Sequence, residues 1–289
     1  MGRHDSASLF DWLVGVFQYQ GVSDTAASRF IETHGAASFA DLTSVLSKSC
    51  SCTKLRCYWS FADCSYRRMA QTCAEPELMG SCPLPVHPFR NGRLSQSAYS
   101  LFLFIRDVCD GDLVGWIDKR LEEADDGGAS RAVAMRDALL EPLGNIFGVS
   151  NKVLSMAFAD LLLGADPDRE RWVTAGASMI AVDTLVHNFL HRTGILHGHG
   201  RPHAYGPACY GLGGCAAVIE ELAAQIDARR YGEGYPQNFP RFVQHAIWSF
   251  CAQSGWNICN GNRIDDRDRC QNAFCPVSSR CQRVALGQT

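Results

Sequence analysis

The sequence predicts an all-α protein. Apolar residues recur at helical spacing in segment after segment, and no stretch alternates with the period of two that marks a half-buried strand. Glycines and prolines stand where each helical pattern runs out.

The elements follow in order. Leu9, Trp12, Leu13, Val16 and Phe17 mark a first helix over residues 8–20. Residues 24–34 form a second, stopped by Gly35 in the C-cap position. Ser38 caps a third over 39–46. A cysteine-rich stretch, 50–82, then ends at Pro83, Pro85 and Pro88, which break regular structure. Helices resume at 95–109, at 113–124 before Gly127 and Gly128, at 129–140, and at 151–163 before Gly164. Asp166-Pro167-Asp168 starts the segment 169–180, and Asp183 heads 184–193. A loop rich in Gly, His and Pro covers 194–214. Helices over 215–228 and 239–254 lead into an irregular tail.

At 289 residues, 46% of them hydrophobic, the chain is long enough for two domains and can bury a core. Its apolar runs, such as 101–105, are far shorter than a membrane span requires. The start, Met1-Gly2-Arg3-His4-Asp5, lacks the basic-then-apolar order of a signal peptide, so a bacterial cytoplasmic monomer with no membrane partner is expected. Reduced thiols are the rule there, and fourteen cysteines, mostly clustered, favour metal binding over a disulfide framework. A net charge of −3 argues neither for nor against nucleic acid, because residues 252–289 carry five arginines against three aspartates.

Two segments carry the candidate chemistry. Gly148-Val149-Ser150-Asn151-Lys152 opens one apolar helix, and Val182-Asp183-Thr184 opens another. Alone, Lys152 reads as a solvated lysine and Asp183 as an N-cap. Together, an amine and a carboxylate brought to one cleft can break a glycosidic bond.

Gly148, Val149 and Lys152 resemble the Gly-Val-Gly-x-Lys hairpin of helix-hairpin-helix DNA glycosylases of the endonuclease III type. Ser150 replaces the second glycine, and Phe147 stands where that family has proline. Val182-Asp183-Thr184, followed by Arg192-Thr193-Gly194, resembles the family's Val-Asp-Thr motif and its downstream Arg-x-Gly. The resemblance covers nearly the whole chain except 50–82 and 198–214. It implies two helical domains flanking a DNA- and base-binding cleft, a helix-hairpin-helix motif and a C-terminal iron–sulfur loop. The barrel domain would span 1–170 with a cysteine-rich insertion at 49–90, and the second domain 171–289.

The implied function is a DNA N-glycosylase of base-excision repair or phage defence that removes a damaged, modified or hypermodified base. Lys152 and Asp183 would be catalytic, with an associated AP lyase activity if Lys152 is the nucleophile. Gln20, Gly148, Ser150, Asn151 and His187 would contact DNA or the flipped base.

Cys259, Cys270, Cys275 and Cys281 are the implied ligands of a [4Fe–4S] cluster. Their separations are ten, four and five residues against the family's six, two and five. Zinc is the rival occupant. Cys50, Cys52, Cys57, Cys64, Cys73 and Cys82 form a candidate second metal site or simply buried small side chains. Cys109, Cys209, Cys215 and Cys251 read as core or loop, and His197, His199 and His203 as a solvated loop. Asp183, His187 and His191 share one helical face, which leaves a histidine-ligated metal hydrolase as an alternative. A non-catalytic iron–sulfur DNA-binding protein is the other.

Overall fold

The computed structural model describes residues 4–19, 22, 24–35, 37–47, 52–67, 70–85, 93–259 and 268–286. The protein is all-α: among these residues the only β pairing is an isolated bridge between Arg67 and Thr72. No helix among them is long and apolar enough to cross a membrane. The chain divides into two units, Met1–Ala157 and Phe158–Thr289. The division falls nearer the N-terminus than the position read from the sequence, inside a helix.

The first unit holds α1 (Ser6–Phe17), α2 (Asp24–His34), α3 (Phe39–Ser47), α4 (Tyr58–Phe61), α5 (Arg93–Asp107), α6 (Leu113–Ala124), α7 (Arg131–Leu143) and the start of α8 (Asn151–Leu163). Asp5 caps α1 by accepting from the Ser8 N–H, and Asp112 caps α6 by accepting from that of Gly115. α1 packs against α3, α5 and α6. Phe10, Leu13 and Phe17 of α1, Leu42 of α3 and Tyr99 and Leu103 of α5 are buried, each side chain worth roughly 1.5–3 kcal/mol. The Phe10, Phe39 and Phe102 rings lie 4.8–6.2 Å apart.

α7 runs past residue 140, where the sequence pattern ends, and carries Pro142 inside it. Proline lacks the N–H that would bond to the carbonyl four residues back. That carbonyl, Ala138 O, instead accepts from the Arg120 guanidinium of α6 at 3.4 and 3.3 Å. A neighbouring helix thus supplies the donor that proline removes.

The second unit completes α8 and adds α9 (Glu170–Ser178), α10 (Thr184–Arg192), α11 (Ile195–Gly198), α12 (Cys215–Ala223) and α13 (Pro240–Cys251). α13 packs against α9, α10 and α12. Ile180, Val182, Val186, Leu190, Val218, Ile219 and Ile247 form its core. Gly176 lets α9 press closely on α8, since a Cβ there would stand 3.0 Å from Leu162 and Leu163 side-chain atoms. Short 3-10 turns at Pro207–Tyr210 and Ala228–Arg230, like those at Thr53–Arg56 and Pro76–Ser81 in the cysteine-rich stretch, had no periodic signal in the sequence.

Candidate functional site

The chemistry gathers along α10. Asp183 is its N-cap, with extended backbone, and its Oδ1 accepts from the Val186 N–H at 2.9 Å. Its Oδ2 accepts no hydrogen bond among the described residues, so one carboxylate oxygen is fixed and the other is open. The approach to the cap is held as well. Val182 N–H donates to the Tyr210 hydroxyl at 2.8 Å, and that hydroxyl donates to Val182 O at 3.4 Å. Burial pushes the Tyr210 phenol well above its ordinary range, so it stays a neutral donor.

Tyr210→Phe would leave both polar groups of the buried Val182 backbone without that partner. It is expected to lower unfolding stability by about 1–3 kcal/mol, read from the denaturant midpoint. An unchanged midpoint would show that the hydroxyl does not hold the cap.

One turn along, His187 is buried against two cysteines. Its Nδ1 lies 3.3 Å from Cys215 Sγ and 3.6 Å from Cys209 Sγ, and Cys215 Sγ lies 3.3 Å from His203 Nε2. The four ligating atoms lie within 4.8 Å of one another, a group that can hold a metal ion. Cys209 comes from the 3-10 turn Pro207–Tyr210 and Cys215 is the first residue of α12. The Cys209 thiol is pulled well below its ordinary range, first by its hydrogen bond with Cys215 and then by that with His187. Cys215 is pushed up by the same contact and by burial.

This arrangement changes several expectations. His187 faces Cys209 and Cys215, where the sequence suggested DNA. Its companion in the group that could hold a metal is His203, not His191. Cys209 and Cys215, read as core or loop, are buried in the core and carry donor atoms into it. Their spacing from His187 had no standard form; the only hint was two cysteines flanking a Gly-rich segment a few residues after His203. His191 is buried 4.8 Å from the His197 ring, and neither of its ring nitrogens has a hydrogen-bond partner among the described residues. Burial, with the neighbouring histidines, pushes it below the usual histidine range.

The far end of α10 meets the cysteine tail. The buried Arg192 places Nη1 3.5 Å from Cys259 Sγ, and Cys281 Sγ donates to Arg192 O at 3.6 Å. Gln282 N–H and Val284 N–H donate to Thr193 O and Arg192 O, so the tail satisfies carbonyls that a helix end leaves open. Gly194, at φ +87°, lies directly under the Gln282 side chain, and no Cβ fits there. Burial raises the Cys281 thiol, and Cys259, Cys275 and Cys270 raise it further, so the other three predicted tail cysteines all act on Cys281. Cys251 is buried with its thiol hydrogen-bonded to Cys259.

In the first unit, Gly148 has φ +67°, which L side chains rarely adopt. The chain then enters α8, where Ser150 O accepts from Leu154 N–H at 3.0 Å. Ser150 and Asn151 are exposed and Lys152 is half-buried in the first turn. The turn is held by Ser97 Oγ donating to Phe147 O and by Phe147 N–H donating to Ser100 Oγ at 3.3 Å. Lys152 belongs to this unit and Asp183 to the other. Gln20 and Cys50 lie outside the described residues. Cys52, Cys64, Cys73 and Cys82 line one pocket with Leu55, Phe61 and Tyr66, of about 350 Å³ with its open side included. Cys57 is hydrogen-bonded to Ser60 instead.

No protein-family model matches this chain, and neither a curated protein nor a solved structure matches it.

Proposed function

We propose that the protein is a DNA N-glycosylase of the helix-hairpin-helix kind, acting on a damaged or modified base. The observation that supports this best is Asp183, a carboxylate with one oxygen locked at the head of α10 and the other open. Loss of a base builds positive charge on the sugar, and a preorganised carboxylate stabilises that charge without reorganising at the moment of reaction. The turn at Gly148 and the first turn of α8 supply the backbone of a phosphate-binding hairpin, because helix starts leave N–H groups for an anion.

In this reading the target nucleotide is flipped out of the duplex, since its glycosidic carbon is unreachable in the stack. The free amine of Lys152 attacks C1′, the C1′–N bond breaks, and the base leaves with the bonding electron pair. The amine nitrogen gives up a proton, the C1′–O4′ bond opens with its oxygen taking a proton to leave a Schiff base, and loss of a C2′ proton then eliminates the 3′ phosphate. Cys259, Cys270, Cys275 and Cys281 fit the thiolate set of a [4Fe–4S] cluster, which would brace the end of α10 through Arg192. The Cys52, Cys64, Cys73 and Cys82 pocket is the candidate second site.

Borohydride trapping on duplexes with modified bases and an abasic site tests the reaction. Wild type is expected to give a covalent protein–DNA complex and Lys152→Ala none. Trapping that survives the substitution removes Lys152 from its role. Duplex binding by wild type without trapping or base release on any substrate would leave a non-catalytic DNA-binding protein.

A further inference from the structure

We propose that His187, His203, Cys209 and Cys215 bind a single zinc ion as a structural centre of the second unit, a site that stands whether or not the protein cleaves DNA. Three nitrogen–sulfur separations fit one tetrahedral ion, and all four ligand atoms lie within 4.8 Å of one another. Zinc bonds of about 2.3 Å to sulfur and about 2.0–2.1 Å to nitrogen, at tetrahedral angles, place ligand atoms roughly 3.3–3.8 Å apart. The recorded nitrogen–sulfur separations are 3.3, 3.6 and 3.3 Å.

The hydrogen bonding around the site points the same way. His203 Nδ1 lies 2.8 Å from Arg201 O, and a carbonyl only accepts, so Nδ1 carries the proton and Nε2 turns its lone pair toward Cys215. A ring N–H given to a backbone carbonyl is the usual outer support of a metal-bound histidine. Arg201 is itself held by Glu221 at 2.6 Å.

Other occupants fit less well. A two-iron cluster with two cysteines and two histidines puts the cysteines on one iron and the histidines on the other. Here each sulfur sits beside a histidine nitrogen, which one shared ion explains. Soft sulfur with imidazole in a tetrahedral set selects zinc over magnesium or calcium. Four protein ligands also close the coordination sphere, the mark of a structural site, so the ion activates no water. Its work is to tie the loop at 203 and the start of α12 to α10, one turn from Asp183.

The test uses the full chain, with zinc and iron measured separately. Wild type is expected to hold about one zinc that survives dialysis. Cys209→Ser and His203→Ala should weaken zinc binding by more than the roughly 10–100-fold that loss of an outer-shell partner costs, while iron is retained. Cys275→Ser should lose iron and keep zinc. Cobalt replacing zinc should give the intense visible bands of a tetrahedral thiolate site, weakened in His203→Ala, the loop ligand chosen in case Cys209→Ser does not fold. Folded wild type that takes up neither zinc nor cobalt overturns the proposal. So does a Cys209→Ser, Cys215→Ser double variant that binds zinc as tightly as wild type.

Discussion

Asp183→Asn is expected to lower base release on the order of 10²–10³-fold, the effect of deleting one preorganised electrostatic group, while the protein unfolds where wild type does. The two outcomes separate because the proposed reaction adds a second duty to the cap. As N-cap, asparagine serves as well as aspartate, so the bond from Val186 N–H to the side-chain oxygen survives. As a charge facing the developing sugar cation, asparagine is neutral and contributes little. Alanine is the poorer probe, since it would also cost about 1 kcal/mol of capping. Single-turnover base release and a denaturant melt, run on the same preparation, read both duties. An asparagine variant that releases base at the wild-type rate would leave Asp183 as a cap and nothing more.

Withdrawing the ion from the four-ligand set should do the largest damage to the fold. Structural zinc supplies about 10–16 kcal/mol in small metal-folded peptides, against about 5–15 kcal/mol for the whole stability of a typical domain. Cys209 and Cys215 sit in the same core as Val186, Leu190, Val218 and Ile219, so the ion cross-links what the apolar contacts surround. Without it, the buried thiols and imidazoles keep only their weak contacts with one another, and the loop at 203 and the start of α12 lose their tie to α10. Hydrogen exchange of the α10 and α12 amides should therefore quicken markedly after chelation and recover on adding zinc. Unchanged protection in protein shown to be metal-free would mean that apolar packing alone holds this unit.

Much of the helical order was legible because helix formation is a short-range matter. α2, α6 and α8 begin and end at the residues their spacing and stop signals indicated. α7 shows where that reading fails. Its pattern points to an end near residue 140, yet Arg120, from another helix, pairs the carbonyl that Pro142 leaves and lets the helix run on. No local signal carries a donor from another helix. The short turns of the cysteine-rich stretch and of 194–214 were equally silent, being too brief for periodicity to register.

Among the candidate residues, the tail cysteines could be grouped because they crowd into one short segment, where chain connectivity keeps them near each other. Asp183 could be placed because capping is decided by the residues beside it. The His187, His203, Cys209 and Cys215 group had no such help. The sequence put His187 with His191, four residues apart and so on one helix face. Folding turned His187 toward a turn and a helix start some 20–30 residues downstream and left His191 beside His197. Spacing along a chain reports distance in space only within one regular element. Once ligands come from a helix, a loop, a turn and a second helix, the packing of those pieces decides which donors meet.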